Sequence, residues 1–239
     1  MFFETGIGYR VFSENQVLIF EPMGDANVII TISHDGLSPG DFFGFWPERK
    51  TVEFGSDKYV WRIAKDVLAE AGVYAIRGLF PRFLVDYNRL PEVDNKLVSS
   101  HHSYHEAIFS FIRMIRESDA SPLLLDLHGF SRQPFAEEFD IILGTKNRAT
   151  VKTDIDFKLA VFLRERGYRV FLPEEDTPDK NCSHYNGGFT VCRYSEEFGI
   201  DAIQIEIARH FRTKGGEEEG KKLSCDLAEF IKNNFPPVI

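Results

Sequence analysis

Cysteine is scarce in this sequence: only Cys182, Cys192 and Cys225 occur among its 239 residues. An odd number of cysteines without CxxC spacing indicates neither a disulfide framework nor a cysteine-ligated zinc site. We therefore expect reduced thiols and a cytoplasmic protein.

The sequence also lacks long apolar runs and a surplus of basic residues. No stretch is long and apolar enough to span a membrane, and residues 1–5 place no basic region ahead of an apolar segment. We expect neither a transmembrane helix nor a signal peptide. The formal net charge of −9 argues against non-specific binding to nucleic acid.

Strand-like and helix-like segments alternate along the chain. Hydrophobic residues make up 43% of the sequence, which is typical of a globular protein, and the length suits one domain over residues 1–239. Apolar runs and helical spacing predict a hairpin at 9–22, strands at 28–33, 73–76, 123–127, 141–143, 168–172 and 202–207, and helices at 57–71, 104–115, 157–163 and 223–231. This alternation predicts a layered α/β domain with a largely parallel or mixed sheet.

Two predicted strands end in a histidine that is followed within two positions by glycine. The run at 27–33 leads into His34, and the run at 122–125 leads into Asp126-Leu127-His128. A histidine at the carboxyl end of a strand is held by the strand beside a crevice, which is a suitable position for a metal ligand. A catalytic zinc ion usually has three protein ligands.

The third ligand is best sought among the carboxylates. Asp57, at the start of a predicted helix, is the preferred candidate, and Asp35 and Glu53 are the alternatives. Asp126 shares a strand face with His128 and could orient its imidazole.

A second cluster contains two arginines, an aspartate and an asparagine. It runs from Arg82 through Asp86 and Asn88 to Arg89. Arginine binds carboxylates in two-pronged fashion, so the cluster could hold an acidic ligand with Asp86 positioning a guanidinium. A surface patch of ion pairs is the alternative.

Glu206 lies within a third cluster, in an otherwise apolar strand. Burial of an unpaired carboxylate is costly, so Glu206 is either functional or paired with Arg209 or Arg212. Beside a metal it could serve as general base and then as general acid.

Together these clusters resemble the N-formylglutamate amidohydrolase family, which is related to the zinc carboxypeptidases and to the aspartoacylase and succinylglutamate desuccinylase group. The resemblance covers residues 27–212. The matching segments, in order, are His34-Asp35-Gly36, Arg82 with Asp86-Tyr87-Asn88-Arg89, Tyr104-His105, Asp126-Leu127-His128-Gly129, Gly144-Thr145, Gly187-Gly188 and Gln204-Ile205-Glu206.

The resemblance implies a three-layer, zinc-carboxypeptidase-like (phosphorylase/hydrolase-like) α/β domain with a mixed central sheet. It also implies a zinc hydrolase that cleaves an amide next to an acidic amino acid. In that reading His34 and His128 bind Zn2+, Arg82, Asn88 and Arg89 hold the carboxylates of a small N-acyl amino acid, and Glu206 is catalytic.

Two departures from the family leave alternatives open. The carboxypeptidase relatives place a glutamate three residues after the first histidine, where this chain has Leu37, so the metal's carboxylate must come from elsewhere. The segment 90–100 is also short, which leaves the acyl group and the amino acid undetermined. A metallopeptidase acting on short peptides and a non-catalytic binder of an acidic ligand are the competing hypotheses.

Overall fold

The fold is described from a computed structural model, which covers residues 2–5, 8–35, 57–91, 97–131, 138–173 and 185–236. The strands of this part are β1 (Phe2–Thr5), β2 (Tyr9–Glu14), β3 (Val17–Pro22), β4 (Val28–Ile32), β5 (Tyr74–Gly78), β6 (Leu123–Phe130), β7 (Ile141–Gly144), β8 (Val170–Phe171) and β9 (Asp201–Ala208). The helices are α1 (Val60–Ala71), α2 (Val98–Glu117), α3 (Ile155–Glu165), α4 (Phe189–Phe198), α5 (Arg209–Arg212) and α6 (Glu217–Asn234).

The nine strands form one mixed sheet in the order β1-β2-β3-β5-β4-β6-β9-β7-β8. The central strands β5, β4, β6 and β9 are parallel to one another. In contrast, β1–β3 form antiparallel pairs, and β3 pairs antiparallel with β5. On the other side, β7 runs antiparallel to β9 and parallel to β8. The predicted mixed sheet is confirmed.

Helices cover both faces of the sheet and make it the middle of three layers. The larger core contains the apolar faces of α1, α3 and α6, and the second core contains those of α2 and α4. None of these helices is long and apolar enough to cross a membrane.

The pleat of the central strands sorts apolar and polar side chains onto opposite faces. In β6, Leu123, Leu125 and Leu127 enter the larger core. Asp126 and His128 must therefore lie on the face covered by α2 and α4. The same alternation in β9 places Ile203, Ile205 and Ile207 in the larger core and Gln204 and Glu206 on the other side.

Helix α1 begins three residues later than predicted, and Asp57 precedes it rather than occupying its first turn. The N-cap residue, Tyr59, makes no side-chain cap hydrogen bond. Instead the Asp35 carboxylate accepts from the backbone N–H groups of Tyr59 and Trp61, at 2.9 and 3.1 Å. Asp35 also pairs with Arg77 at 3.2 Å, so it joins the end of β4 to α1 and to β5.

We predict that Asp35→Ala lowers the free energy of unfolding by about 2–4 kcal/mol. The change leaves two N–H groups at the helix start unsatisfied and the buried Arg77 without its carboxylate. Urea unfolding in the presence of a chelator measures the loss without a contribution from metal binding. Glu70→Ala, at an exposed position of the same helix, is the control, and equal stability of the two variants would contradict the capping role.

Candidate active site

The candidate site lies on the α2/α4 face of the sheet, at the carboxyl ends of β4, β6 and β9. Strand register aligns Thr31, Asp126 and Gln204 in one row across these strands, and it pairs His128 with Glu206 two positions further on. His34 lies two residues after the end of β4. Parallel strands thus bring together residues that are far apart in the sequence.

Asp57 lies between the two histidines. Its Oδ2 atom is 3.0 Å from His128 Nδ1 and 3.4 Å from His34 Nδ1. Both imidazoles are buried, and their ring centroids are 4.8 Å apart. The backbone N–H of Asp57 donates to the carbonyl of His34 at 2.8 Å, which fixes the aspartate beside the end of β4.

The Nε2 atom of each imidazole, which is the nitrogen remote from Asp57, contacts a second carboxylate. Asp126 Oδ2 is 2.8 Å from His128 Nε2, and Asp86 Oδ1 is 2.8 Å from His34 Nε2. Thr31 donates to the other oxygen of Asp126 at 2.8 Å. Contact between Asp126 and His128 was predicted from their shared strand face, and the structure brings them together. The role of Asp86 at His34 was not predicted.

These carboxylates dominate the electrostatics of the histidine pair. Burial opposes the charged form of His128, but the charge and hydrogen bonds of Asp126 and Asp57 hold its pKa well above the usual range. Burial likewise opposes ionisation of Asp57, and the two imidazoles beside it hold the pKa of that carboxyl well below its ordinary value. A cation bound here would replace the proton of His128.

The donor set fits a zinc-type metal. Metal-capable atoms of His34, Asp57 and His128 all lie within 4.8 Å of one another. His34 Nδ1 is buried and has no hydrogen-bond partner. Coordination of a metal ion would satisfy this nitrogen. Carboxylates on both Nε2 atoms match the usual outer partners of metal-bound histidines. Of the alternative ligands, Asp35 caps α1 instead, and Glu53, like Gly36 and Leu37, lies outside the described residues.

Glu206 is buried in the same site. Its Oε1 atom accepts a hydrogen bond from Gln204 Nε2 at 2.8 Å. Burial raises the pKa of Glu206 to about 7, with His128 acting against this rise and Asp57 adding to it. The alternative of an ion pair with Arg212 is not seen, because Arg212 directs its N–H groups at backbone carbonyls.

The arginine cluster lies at the rim of the site and is tied to it by Asp86. Arg82 Nε and Arg89 Nε lie 3.0 and 3.1 Å from Asp86 Oδ2, the oxygen not used by His34. The Arg82 side chain is 36% exposed and that of Arg89 is 71% exposed. Both arginines therefore form ion pairs with Asp86 and still expose part of their side chains, so an ion-pair patch and a ligand-binding pair do not exclude one another.

Asn88 enters the site itself. Its Nδ2 atom is 3.2 Å from His128 Nε2, and its Oδ1 accepts from the N–H of Thr190 at 2.8 Å. A Cβ atom at Gly188 would collide with the Asn88 amide, which explains the glycine at the start of α4. Sequence spacing gave no sign of the contact with His128.

The buried side chain of His105 anchors the segment that carries Asp86 and Asn88. His105 Nε2 is 2.9 Å from the carbonyl of Tyr87, and the Tyr87 hydroxyl is 2.7 Å from Ser100 Oγ. Burial lowers the pKa of His105 to about 3, so it stays neutral. The Tyr104-His105 motif thus supports the site from α2.

Comparison with known proteins points to one family. No curated protein matches the chain by sequence. An N-formylglutamate amidohydrolase from Ralstonia eutropha JMP134 has a similar structure, with a TM-score of 0.72, 17% identity, and coverage of 92% of this chain and 99% of that one.

A gene product of Agrobacterium tumefaciens matches with a TM-score of 0.63, 13% identity, and coverage of 98% and 97% of the two chains. A succinylglutamate desuccinylase from Chromobacterium violaceum matches with a TM-score of 0.47, 15% identity, and coverage of 100% and 72%.

The expected zinc-carboxypeptidase-like fold, three-layered with a mixed sheet, is confirmed. The family model for N-formylglutamate amidohydrolases matches residues 91–212, just over half of the sequence. That segment contains His128 and Glu206. The chain therefore belongs to the N-formylglutamate amidohydrolase family.

Proposed function

We propose that this chain is a zinc-dependent amidohydrolase that cleaves the amide bond of a small N-acyl amino acid, with an acidic one such as N-formylglutamate as substrate. The observation that carries the proposal is the meeting of His34, Asp57 and His128 on the sheet edge that also presents Glu206. Membership of an amidohydrolase family supports amide hydrolysis.

His34, Asp57 and His128 would hold the metal. A zinc ion supplies Lewis-acid chemistry there, because it polarises a carbonyl and lowers the pKa of water. Asp86 and Asp126 each accept from an Nε2–H group, so they select the tautomer that leaves Nδ1 free to bind the metal.

Glu206 would move the proton. Its carboxylate takes a proton from the attacking water and delivers it to the nitrogen of the leaving amino acid. Burial that raises the pKa of Glu206 to about 7 makes the carboxylate a stronger base than an exposed glutamate. The hydrogen bond from Gln204 fixes its orientation.

Arg82, Asn88 and Arg89 would bind the carboxylates of the substrate. Arg89 is mostly exposed, so its guanidinium can reach a ligand at the rim. A small molecule is the expected partner, and neither nucleic acid nor a membrane is expected. Location in the cytoplasm remains a prediction from cysteine usage.

We predict about one zinc ion per chain in the native protein and its loss in His128→Ala and His34→Ala, because two ligands hold zinc far less tightly than three. Elemental analysis of protein purified without chelator measures the content. His102→Ala, at an exposed histidine of α2, is the control. Full zinc occupancy in His128→Ala would refute the metal site.

Glu206→Gln should reduce kcat by about 100-fold or more while zinc stays bound, since the amide cannot accept the proton. Steady-state kinetics on N-acyl amino acids measures this, and near-normal turnover would assign Glu206 a structural role.

In metal-free protein, the stability of the Glu206→Gln variant should also depend on pH differently from that of the native protein. Between pH 4.5 and about 7 the unfolded chain loses the Glu206 proton while the folded chain keeps it, so native stability falls as pH rises. Glu206→Gln lacks this loss and should gain stability relative to the native protein over that range, by about 3 kcal/mol at most.

Arg89→Ala should weaken substrates that carry a free carboxylate far more than their C-terminal amides. A charged hydrogen bond of this kind contributes about 1.5–3 kcal/mol, or roughly 10- to 150-fold in kcat/KM. Comparing an N-acyl amino acid with its amide, in native and mutant protein, measures the difference. An equal loss for both substrates would mean that Arg89 does not bind a carboxylate, and the peptidase hypothesis would then be preferred.

A further inference from the structure

Arg212, at the end of α5, is a buried cation beneath the site. Its side chain is buried, with 4% of the residue exposed. Each of the three guanidinium nitrogens donates to a backbone carbonyl. Nε donates to Ile207 at 3.0 Å, Nη1 to Lys58 at 2.8 Å, and Nη2 to Phe130 at 3.2 Å. These three acceptors belong to three separate segments of the chain.

Each accepting carbonyl is one or two residues from a residue of the proposed site. Lys58 follows Asp57, Phe130 is two residues after His128, and Ile207 follows Glu206. One planar group thus fixes the backbone beside two proposed metal ligands and the proposed base. Gly129 makes room for it, because a Cβ atom at that position would collide with the guanidinium.

The charge of Arg212 is compensated by the site rather than by a single ion pair. Among the described residues no carboxylate lies within ion-pair distance of it, and burial lowers its pKa. The carboxylates of Asp57, Glu206 and Asp35 act in the opposite direction. In turn the cation favours the ionised form of Glu206.

We propose that Arg212 is a positioning residue that holds Asp57, His128 and Glu206 in the arrangement needed for zinc binding and proton transfer. The inference rests on the proposed zinc hydrolase function. Arginine suits this task because its donors form a rigid fork, whereas a lysine ammonium is a single point that cannot reach three separated carbonyls.

Arg62 provides a matched comparison in the same region. It is partly buried, donates to the carbonyl of Phe211 at 3.1 Å, and lies 3.5 Å from Glu217. Neither contact is beside a proposed ligand or Glu206. Phe211 precedes Arg212, but loss of Arg62 leaves all three hydrogen bonds of Arg212 in place. It should therefore affect packing of α1 against α5 and α6 without changing the site.

The test measures the zinc affinity of metal-free protein by competition with a chromophoric chelator. Arg212→Met and Arg212→Lys should raise the zinc dissociation constant by about 10-fold or more, the usual size of effects on outer partners of a metal site. Both should alter the visible spectrum of the cobalt-substituted protein and lower kcat more than they raise KM. Arg62→Met should bind zinc as the native protein does, even if it unfolds at lower temperature.

The possible outcomes separate the inference from the proposed function. Native zinc affinity and a native cobalt spectrum in folded Arg212 variants would overturn the positioning role while leaving the zinc hydrolase in place. If native protein binds no zinc, both ideas fail. If Arg212→Met does not fold, Arg212→Lys decides, because it keeps the buried charge and removes only the three-way geometry.

Discussion

The contact of one carboxylate with two buried imidazoles is the interaction on which the rest of the site depends. Asp57 faces the Nδ1 side of His34 and of His128, so the inner nitrogens of both rings turn toward a common point. Their outer nitrogens must then be satisfied elsewhere, and Asp86 and Asp126 do this. Three carboxylates around two histidines make the pocket strongly attractive to a cation.

The sheet makes this arrangement possible because its parallel strands end at one edge. Strand register places His128 beside Glu206, and Thr31 beside Asp126. The apolar residues that alternate with them are buried in the larger core. The packing that stabilises the domain and the polar row that forms the site therefore occupy opposite faces of the same strands.

Much of the fold could be predicted from periodicity, and its limits have physical causes. The apolar runs predicted the central strands, and helical spacing predicted parts of α1, α2, α3 and α6. Helix α4 and strand β1 were missed, and α1 begins later than expected because its cap, Asp35, comes from a distant strand end. A single domain over residues 1–239 remains a prediction.

The candidate site could be predicted only where it depends on single strands. Asp126 and His128 are two residues apart on one strand, so their contact follows from the pleat. The pairing of Asp86 with His34, of Asn88 with His128, and of Arg212 with three carbonyls joins segments that only the tertiary structure brings together. No local spacing contains that information. The roles of all these residues in binding and catalysis remain predictions.

The order of the strands also constrains when the site can form during folding. β4, β6 and β9 are neighbours in the sheet but are separated along the chain by long segments. Parallel pairs of this kind close large loops and form slowly. His34, His128 and Glu206 can meet only after those loops close, so a metal ion cannot serve as a template for the early steps. A bound metal would instead slow unfolding of the completed domain, because it binds only after the strands have paired.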